Sequence, residues 1–134
     1  MSLKSETLKN TQYYLNNYDF ISLQSKSLCE KDVEMIRIME KSGKGFARIY
    51  WYLDDPNSVY LDSLVVSDNF RKLGLGRTLQ ELREGIGVCR LAKYSYLWVE
   101  KDSWMEEWYK RRGYSYYKDY EQLNNCIWMR KKLI

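Results

Sequence analysis

The sequence predicts an α/β fold with a mixed sheet of about six to seven strands and helices on both faces. Apolar, β-branched runs alternate with short turn sequences through the first half of the chain and indicate an antiparallel meander. A run with helical spacing then lies between two strand-like runs, which is the order of a β-α-β crossover. The length of 134 residues suits one hydrophobic core, so we expect a single domain over residues 1–134.

The first half of the chain reads as short strands joined by turns. Residues 1–19 are expected to form a helical or irregular N-terminal arm, because tyrosines are scattered through a polar stretch. Phe20–Gln24 is predicted as a first strand. Three more strands, rich in β-branched and aromatic residues, are predicted at Val33–Glu40, Phe46–Leu53 and Val59–Val66. The turns between them are short, so neighbouring strands are expected to run antiparallel.

The second half of the chain alternates helices and strands. Apolar side chains recur every three or four residues and predict a helix over residues 76–92. Gly85 and Gly87 would each weaken this helix by about 1 kcal/mol relative to alanine, so they indicate a bend or close packing on the sheet. A strand, a short helix and two final strands are predicted, in that order, at Tyr94–Glu100, Trp104–Arg112, Tyr114–Tyr120 and Cys126–Leu133.

A basic loop that contains glycines joins the strand Val59–Val66 to the long helix. Glycines let the backbone approach a ligand closely, and the first turn of a helix presents unpaired N–H groups at a positive dipole end. The loop, residues 71–77, therefore suits a diphosphate. A dinucleotide-binding fingerprint would need glycine at Leu79, and a nucleoside-triphosphate loop would need lysine where Arg77 follows Gly76.

Two motifs resemble those of one enzyme family. Residues 71–76, reading RKLGLG, resemble the Arg/Gln-x-x-Gly-x-Gly pyrophosphate loop of the GNAT superfamily of acyl-CoA N-acyltransferases, and the strand Leu64–Val66 precedes it as in that family. Residues 108–114, reading WYKRRGY, are similar to the family's hydrophobic-Tyr-x-x-x-Gly-aromatic signature. The resemblance covers residues 33–134 by the order of elements and 59–114 by motif.

The resemblance implies that acetyl-CoA is the co-substrate. It implies that the loop holds the pyrophosphate, and that a splayed end between Val59–Val66 and Tyr94–Glu100 admits the pantetheine arm. The Val66 N–H is then placed to polarise the thioester carbonyl. The cofactor-binding residues implied in this way are Leu64, Val65, Val66, Arg71, Lys72, Leu73, Gly74, Leu75, Gly76 and Arg77.

The resemblance also makes Tyr109 the candidate general acid. A phenol stays protonated at neutral pH and can protonate a departing thiolate. The general base is left open between Asp62, Glu100 and a relayed water. Period-two alternation places Asp62 on the same strand face as Leu64 and Val66. The tyrosines and tryptophans at 50–52, 98, 104 and 108 are expected to be mainly core, with one or two of them lining the acceptor cleft.

Composition excludes several classes of function. The chain has no histidine, which removes the serine–histidine and cysteine–histidine nucleophile pairs. Its three cysteines are an odd number at wide spacings, so we expect no disulfide framework, no metal site and a reducing, cytoplasmic location. No apolar run approaches a membrane span or a signal sequence. The net charge of +4 is too mild to favour nucleic acid as a partner.

We therefore expect an N-acetyltransferase that moves the acetyl group of acetyl-CoA directly to a primary amine in a ternary complex. The identity of the amine is left open between a small amine, an amino acid, an antibiotic and a protein N-terminus or lysine. The alternative is a non-catalytic acyl-CoA-binding or regulatory module on the same fold. Two features keep that alternative open: the general base is not assigned, and Asp102 stands where the family often has asparagine. Edge strands and exposed aromatic residues would also allow a homodimer.

Overall fold

The computed structural model describes residues 12–68 and 73–134. Helix α1 occupies residues 12–17. The later helices are α2 (Leu75–Cys89) and α3 (Trp104–Lys110). The strands are, in chain order, β1 (Tyr18–Lys26), β2 (Asp32–Glu40), β3 (Gly45–Tyr52), β4 (Ser58–Val66), β5 (Tyr94–Glu100), β6 (Ser115–Asp119) and β7 (Cys126–Lys132).

The described strands form one mixed sheet of seven strands in the order β1-β2-β3-β4-β5-β7-β6. Strands β1 to β4 pair antiparallel with their neighbours, β4 and β5 pair parallel, and β7 pairs antiparallel with both β5 and β6. Helix α2 supplies the crossover from β4 to β5. The predicted mixed sheet, with a meander followed by a crossover, is therefore confirmed.

Strands β4 and β5 separate after a short paired segment. Their pairing covers three residues of each strand and ends at Tyr60 and Tyr96. Strand β4 nevertheless continues to Val66 and β5 to Glu100, so the two strands form a fork with an open arm. This fork is the splayed end that the resemblance implied.

A β-bulge lies in β4 along the open arm of the fork. Arg48 of β3 pairs with Asp62 and Ala47 pairs with Leu64, so Ser63 is the extra residue. Ser63 adopts a left-handed conformation with φ of 51°. The bulge shifts the alternation of side chains by one residue. Leu64 and Val66 therefore pack towards α2 beside Ala47, and the predicted common face with Asp62 is wrong.

The described helices all pack on one face of the sheet, whereas the sequence predicted helices on both faces. Leu61 and Leu97 lie in one core cluster with Ile86 of α2 and Tyr109 of α3. Tyr14 of α1 joins the neighbouring cluster, which packs against α2 as well. Periodicity identifies a buried stripe on each helix, but it does not identify which side of the sheet the stripe covers.

Helix α2 packs closely on the sheet at Gly87. A Cβ atom there would lie 2.8 Å from Leu133 Cδ1 and 3.1 Å from Val59 Cγ2. Gly85 differs, because a Cβ atom added to it would have nothing within 4 Å. Of the two explanations given for these glycines, close packing on the sheet therefore applies to Gly87.

The opposite face of the sheet carries a series of aromatic rings. Tyr50 stacks on Tyr60 with 5.3 Å between ring centroids, and Tyr60 stacks on Tyr96 at 5.4 Å. Trp51 alone among the six aromatic residues predicted to be mainly core is fully buried, with an exposed fraction of 4%. Trp108 of α3 is partly buried and packs against the core. The core assignment was wrong for Tyr50, Tyr52 and Trp98, which lie on the face opposite the helices, and for Trp104, which is exposed at the start of α3.

Candidate active site

A cleft of about 640 Å³ opens between the end of β4, the start of α2 and one side of α3. Most of the residues that line it were predicted to bind the cofactor: Leu64, Val65, Val66, Gly74, Gly76 and Arg77. Helix α3 and the turn after it add the remaining lining residues, which are Trp104, Met105, Trp108 and Arg112. The cleft therefore brings together the end of β4, the glycine loop of the first motif and helix α3, which carries the second motif.

The N-terminus of α2 faces this cleft. Its N-cap is Gly74, which adopts a left-handed conformation with φ of 82° and offers no side chain to cap the helix. The first turn of α2 contains no acidic residue. A Cβ atom at Gly76 would lie 3.8 Å from both Trp108 Cζ2 and Val66 Cγ2, within the cleft. The backbone N–H groups and the positive end of the helix dipole therefore suit an anion.

Two guanidinium groups add positive charge at the same place. Arg77 lines the cleft from α2, and Arg112 lines it from the turn after α3. Arg112 stacks over the Trp108 ring at 3.5 Å and donates from Nη1 to the Trp108 carbonyl at 2.9 Å. Burial, with the positive charges of Arg77 and Arg111, lowers the pKa of Arg112. This repulsion between like charges would be relieved by a bound phosphate.

Sequence reasoning missed Arg112 as a site residue. The basic run 110–112 was explained by the helix dipole alone. The signal that points to Arg112 is its spacing of four from Trp108, which places both side chains on one side of α3.

The other predicted loop residues have different surroundings. Leu73 is 72% exposed, and Leu75 packs against the core beside Ala47. Neither lines the cleft. Arg71 and Lys72 lie outside the described residues.

Tyr109 of α3 lies in the core cluster with Leu61 of β4 and Leu97 of β5, and it does not line the cleft. Its side chain is buried, and its hydroxyl oxygen accepts a hydrogen bond from Nη2 of Arg83 at 2.9 Å. Among the residues that the structure describes, no acceptor takes the hydrogen of this phenol. The phenol is therefore oriented by Arg83 while its own proton remains available for donation.

Arg83 is a buried cation at the open arm of the fork. It is 1% exposed, and its Nη1 donates to the backbone carbonyls of Arg48 at 3.3 Å and Asp62 at 3.4 Å. Gln80 accepts from Nη2. No carboxylate in the described part of the chain forms an ion pair with this guanidinium, and its Nε has no partner there. Arg83 therefore supplies positive charge next to the β4 bulge.

Arg83 was also missed by sequence reasoning. It lies four residues after Leu79 and three before Ile86, so an arginine occupies the apolar stripe of α2. A charged residue in such a stripe is the signal that indicates a buried polar network.

Residues 43–114 match the model of the acetyltransferase (GNAT) family, which is more than half of the chain. The chain belongs to the GNAT family of acetyltransferases. The resemblance noted in the two motifs is thus confirmed, and with it acyltransferase activity and acetyl-CoA as the co-substrate.

Solved structures of acetyltransferases share the fold at low sequence identity. Nourseothricin acetyltransferase has a TM-score of 0.63 and 14% identity, over 87% of this chain and 85% of that chain. The PaiA N-acetyltransferase of Thermoplasma acidophilum, solved with coenzyme A, has a TM-score of 0.61 and 19% identity, over 75% of this chain and 60% of that chain. An acetyltransferase of Bacillus cereus has a TM-score of 0.56 and 20% identity, over 98% of this chain and 93% of that chain. No curated protein sequence matches this chain significantly.

The two carboxylates predicted as bases in this GNAT domain lie on the face opposite the helices. Asp62 is held by Arg48, whose Nε donates to Oδ1 at 2.8 Å, and both side chains are 38% exposed. Arg48 also donates to the Ser63 hydroxyl. Glu100 ends β5 and is exposed. Asp62 lies on β4 and Glu100 on β5, the two strands that diverge at the fork, and neither residue lines the cofactor cleft.

A buried network of hydrogen bonds runs from Arg83 through Gln80 to Tyr114 and Ser95 of β5. The Tyr114 hydroxyl donates to Ser95 Oγ at 2.9 Å and accepts from Gln80 Nε2 at 3.1 Å. Burial raises the pKa of Tyr114, and the negative charge of Glu84 raises it further. The aromatic position of the second motif therefore ties α2 to β5 by hydrogen bonds.

The structure identifies no helix in its described ranges that is long and apolar enough to cross a membrane. Within residues 12–68 and 73–134, no group of three or more histidine, cysteine or acidic residues could hold a metal ion.

Proposed function

We propose that this GNAT protein transfers the acetyl group of acetyl-CoA directly to a primary amine, with both substrates bound together. The observation that carries the proposal is the placement of the Tyr109 phenol, held by Arg83 beneath the bulge of β4 at the open arm of the fork. A proton donor at that point can protonate the thiolate that leaves when the acetyl group is transferred.

Acetyl-CoA would lie along the cleft described above. The N-terminus of α2, with Gly74 and Gly76, would accept the pyrophosphate beside Arg77 and Arg112. The backbone of Leu64–Val66 would pair with the pantetheine arm. From Val66 back to Tyr60, β4 spans about 20 Å, which gives the extended arm room to reach the fork.

The reaction balances without a further reactant. The amine nitrogen forms a bond to the thioester carbonyl carbon, and the electron pair of the carbon–sulfur bond passes to sulfur. The proton lost from the amine goes to a base, and the phenol of Tyr109 supplies the proton that sulfur takes up. Arg83 donates to the phenol oxygen and stabilises the negative charge that develops there during proton transfer.

Asp62 and Glu100 remain our candidate bases, directly or through a water. Asp62 is nearer the fork, but its carboxylate is already engaged by Arg48. Asp62→Asn and Glu100→Gln distinguish them, because the true base should lose turnover while acetyl-CoA binding is unchanged. If both variants keep their turnover, a relayed water without a carboxylate is the remaining base.

The proposal is tested by calorimetric titration with acetyl-CoA, followed by mass spectrometry of amine mixtures incubated with the enzyme. Arg77→Glu should abolish binding, because it replaces a positive charge in the cleft with a negative one. Tyr109→Phe should keep binding and lose turnover. Binding by the native protein without acetylation of any amine would support the non-catalytic acyl-CoA-binding module instead.

Two further expectations belong with this proposal. We propose a cytoplasmic location, supported by three cysteines that form no disulfide in the structure, with Cys29 and Cys89 exposed. We also propose that a homodimer, if it forms, uses an edge strand such as β1, whose side chains are mostly exposed. Light scattering of the purified protein tests the second expectation.

A further inference from the structure

A second cavity lies across the sheet from the cofactor cleft. It has a volume of about 580 Å³ and is lined by Tyr60 of β4 and Trp98 of β5. Tyr60 is the last residue of β4 that pairs with β5. The cavity therefore meets the fork from the face without helices, where an acceptor can approach an acetyl group delivered from the helix side.

The wall of this acceptor cavity is aromatic. Six rings line it: Tyr50, Tyr52, Tyr60, Trp98, Tyr120 and Trp128. Five of them form a continuous series of contacts. The ring centroids are 5.3 Å apart for Tyr50–Tyr60, 6.1 Å for Tyr60–Trp128, 5.2 Å for Trp128–Tyr120 and 5.1 Å for Tyr120–Trp98. Rings that support one another in this way form a preorganised surface for a planar group.

The charged residues of the acceptor cavity favour a cation. Asp119 and Glu121 line it together with a single lysine, Lys118. Burial raises the pKa of Tyr60 to about 12 and also raises that of Tyr50, so these two phenols add no negative charge at neutral pH. The lining therefore combines neutral ring faces, which attract cations, with one more carboxylate than ammonium group.

The acceptor arrives as a cation, because a primary amine is protonated at neutral pH. The ring faces of the cavity stabilise the ammonium group of the acceptor, and they can also stack on a planar ring elsewhere in the acceptor. An acidic group on the acceptor would meet Asp119 and Glu121 with only Lys118 to offset them. The volume suits a small molecule rather than a folded protein.

We propose that the acceptor is a small primary amine that carries an aromatic ring and no acidic group. This inference rests on the proposed N-acetyltransferase function. It names the substrate class that the acceptor cavity selects, and it assigns the ring-binding surface to the tyrosines and tryptophans of β3, β4, β5 and β7 together with Tyr120, which follows β6.

The test compares three probes that differ by one feature each. 2-Phenylethylamine has the ring and the amine, 2-cyclohexylethylamine replaces the ring by a saturated one, and phenylalanine adds a carboxylate. Product is measured by mass spectrometry, because the exposed thiols of Cys29 and Cys89 would consume thiol reagents. We expect kcat/KM for 2-phenylethylamine to exceed that for 2-cyclohexylethylamine by about two- to tenfold, which is the effect of a contact between two aromatic rings. We expect it to exceed that for phenylalanine as well, because Asp119 and Glu121 repel the added carboxylate.

Two matched tryptophan variants show which cavity produces the preference for an aromatic amine. Trp98 is 42% exposed and lines the acceptor cavity, whereas Trp104 is 72% exposed and lines the cofactor cleft. Trp98→Leu should raise KM for 2-phenylethylamine and remove the preference for an aromatic ring, without changing the affinity for acetyl-CoA. Trp104→Leu should weaken acetyl-CoA binding and keep the preference among amines.

The outcomes separate this inference from the proposed function. Equal turnover of the three probes or a preference for phenylalanine would overturn the acceptor class, and a ring preference that survives Trp98→Leu would overturn the assignment of the ring to this part of the cavity. Each of these results leaves the acetyltransferase function intact. Acetyl-CoA binding with no acetylation of these probes, spermidine or lysine would overturn the proposed function, and this inference with it.

Discussion

Replacing Gly76 by alanine should separate the stability of the fold from the binding of acetyl-CoA. Gly76 is the second residue of α2, and an added Cβ atom would meet Trp108 Cζ2 and Val66 Cγ2 at 3.8 Å. Those are ordinary van der Waals distances, so the folded protein accommodates the methyl group. Because alanine is a better helix former than glycine, the free energy of unfolding should rise by about 0.5–1 kcal/mol.

The same methyl group should interfere with the cofactor. It projects into the cleft in front of the first-turn N–H groups, where a phosphate has to come within hydrogen-bonding distance. A hydrogen bond to a charged group contributes about 1.5–3 kcal/mol. Losing one such bond raises the dissociation constant of acetyl-CoA by about 10- to 150-fold.

Gly85→Ala is the matched control for this experiment. Gly85 lies in the same helix, away from the cleft, and nothing lies within 4 Å of the position of an added Cβ atom. Urea unfolding should show a similar gain in stability for both variants, and calorimetry should show lost acetyl-CoA affinity for Gly76→Ala alone. Unchanged affinity in Gly76→Ala, or an equal loss in Gly85→Ala, would refute the assignment of the α2 N-terminus as the phosphate site.

Three other predictions address the core, the proton donor and the pH dependence of stability. Gly87→Ala should lower the free energy of unfolding by about 1–3 kcal/mol, because its Cβ atom would lie 2.8 Å from Leu133 Cδ1, and a Gly87→Ala protein as stable as the native one in urea would contradict that close packing. Tyr109→Phe should lower kcat by about 10²–10⁴-fold with acetyl-CoA affinity kept, and should also cost about 1–3 kcal/mol of stability, because buried Arg83 loses an acceptor. Turnover at the native rate would exclude the phenol as the acid. The hydrogen bond from Lys110, followed by that from the Asp102 N–H, lowers the pKa of Glu106 below its ordinary value of 4.5. The Glu106 carboxylate therefore binds a proton more readily in the unfolded chain than in the folded one. The stabilisation that Glu106 contributes is complete above about pH 5 and is lost as the pH falls through the pKa of Glu106 in the folded protein. Thermal melts across that range should show a smaller decline for Glu106→Gln, and an identical decline would assign the acid sensitivity to other groups.

Local patterns in the sequence determined the order of elements and the cofactor half of the site. Alternating β-branched residues predicted β2, β3 and β4 to within a residue or two, because the side-chain period of a strand is a property of its own backbone. The glycine loop and the tyrosine motif are likewise short continuous segments. Their shared cleft follows from chain order, since α2 starts where β4 ends.

The tertiary structure alone decided which face each side chain takes and which charges meet. No glycine or proline marks the bulge at Ser63, which arises from the register of β3 against β4 and reverses the face of Leu64. Arg83 meets Tyr109 from a different helix, 26 residues away in the chain. Contacts of this kind depend on how helices and strands pack against one another, and the local spacing of residue types carries no record of that packing.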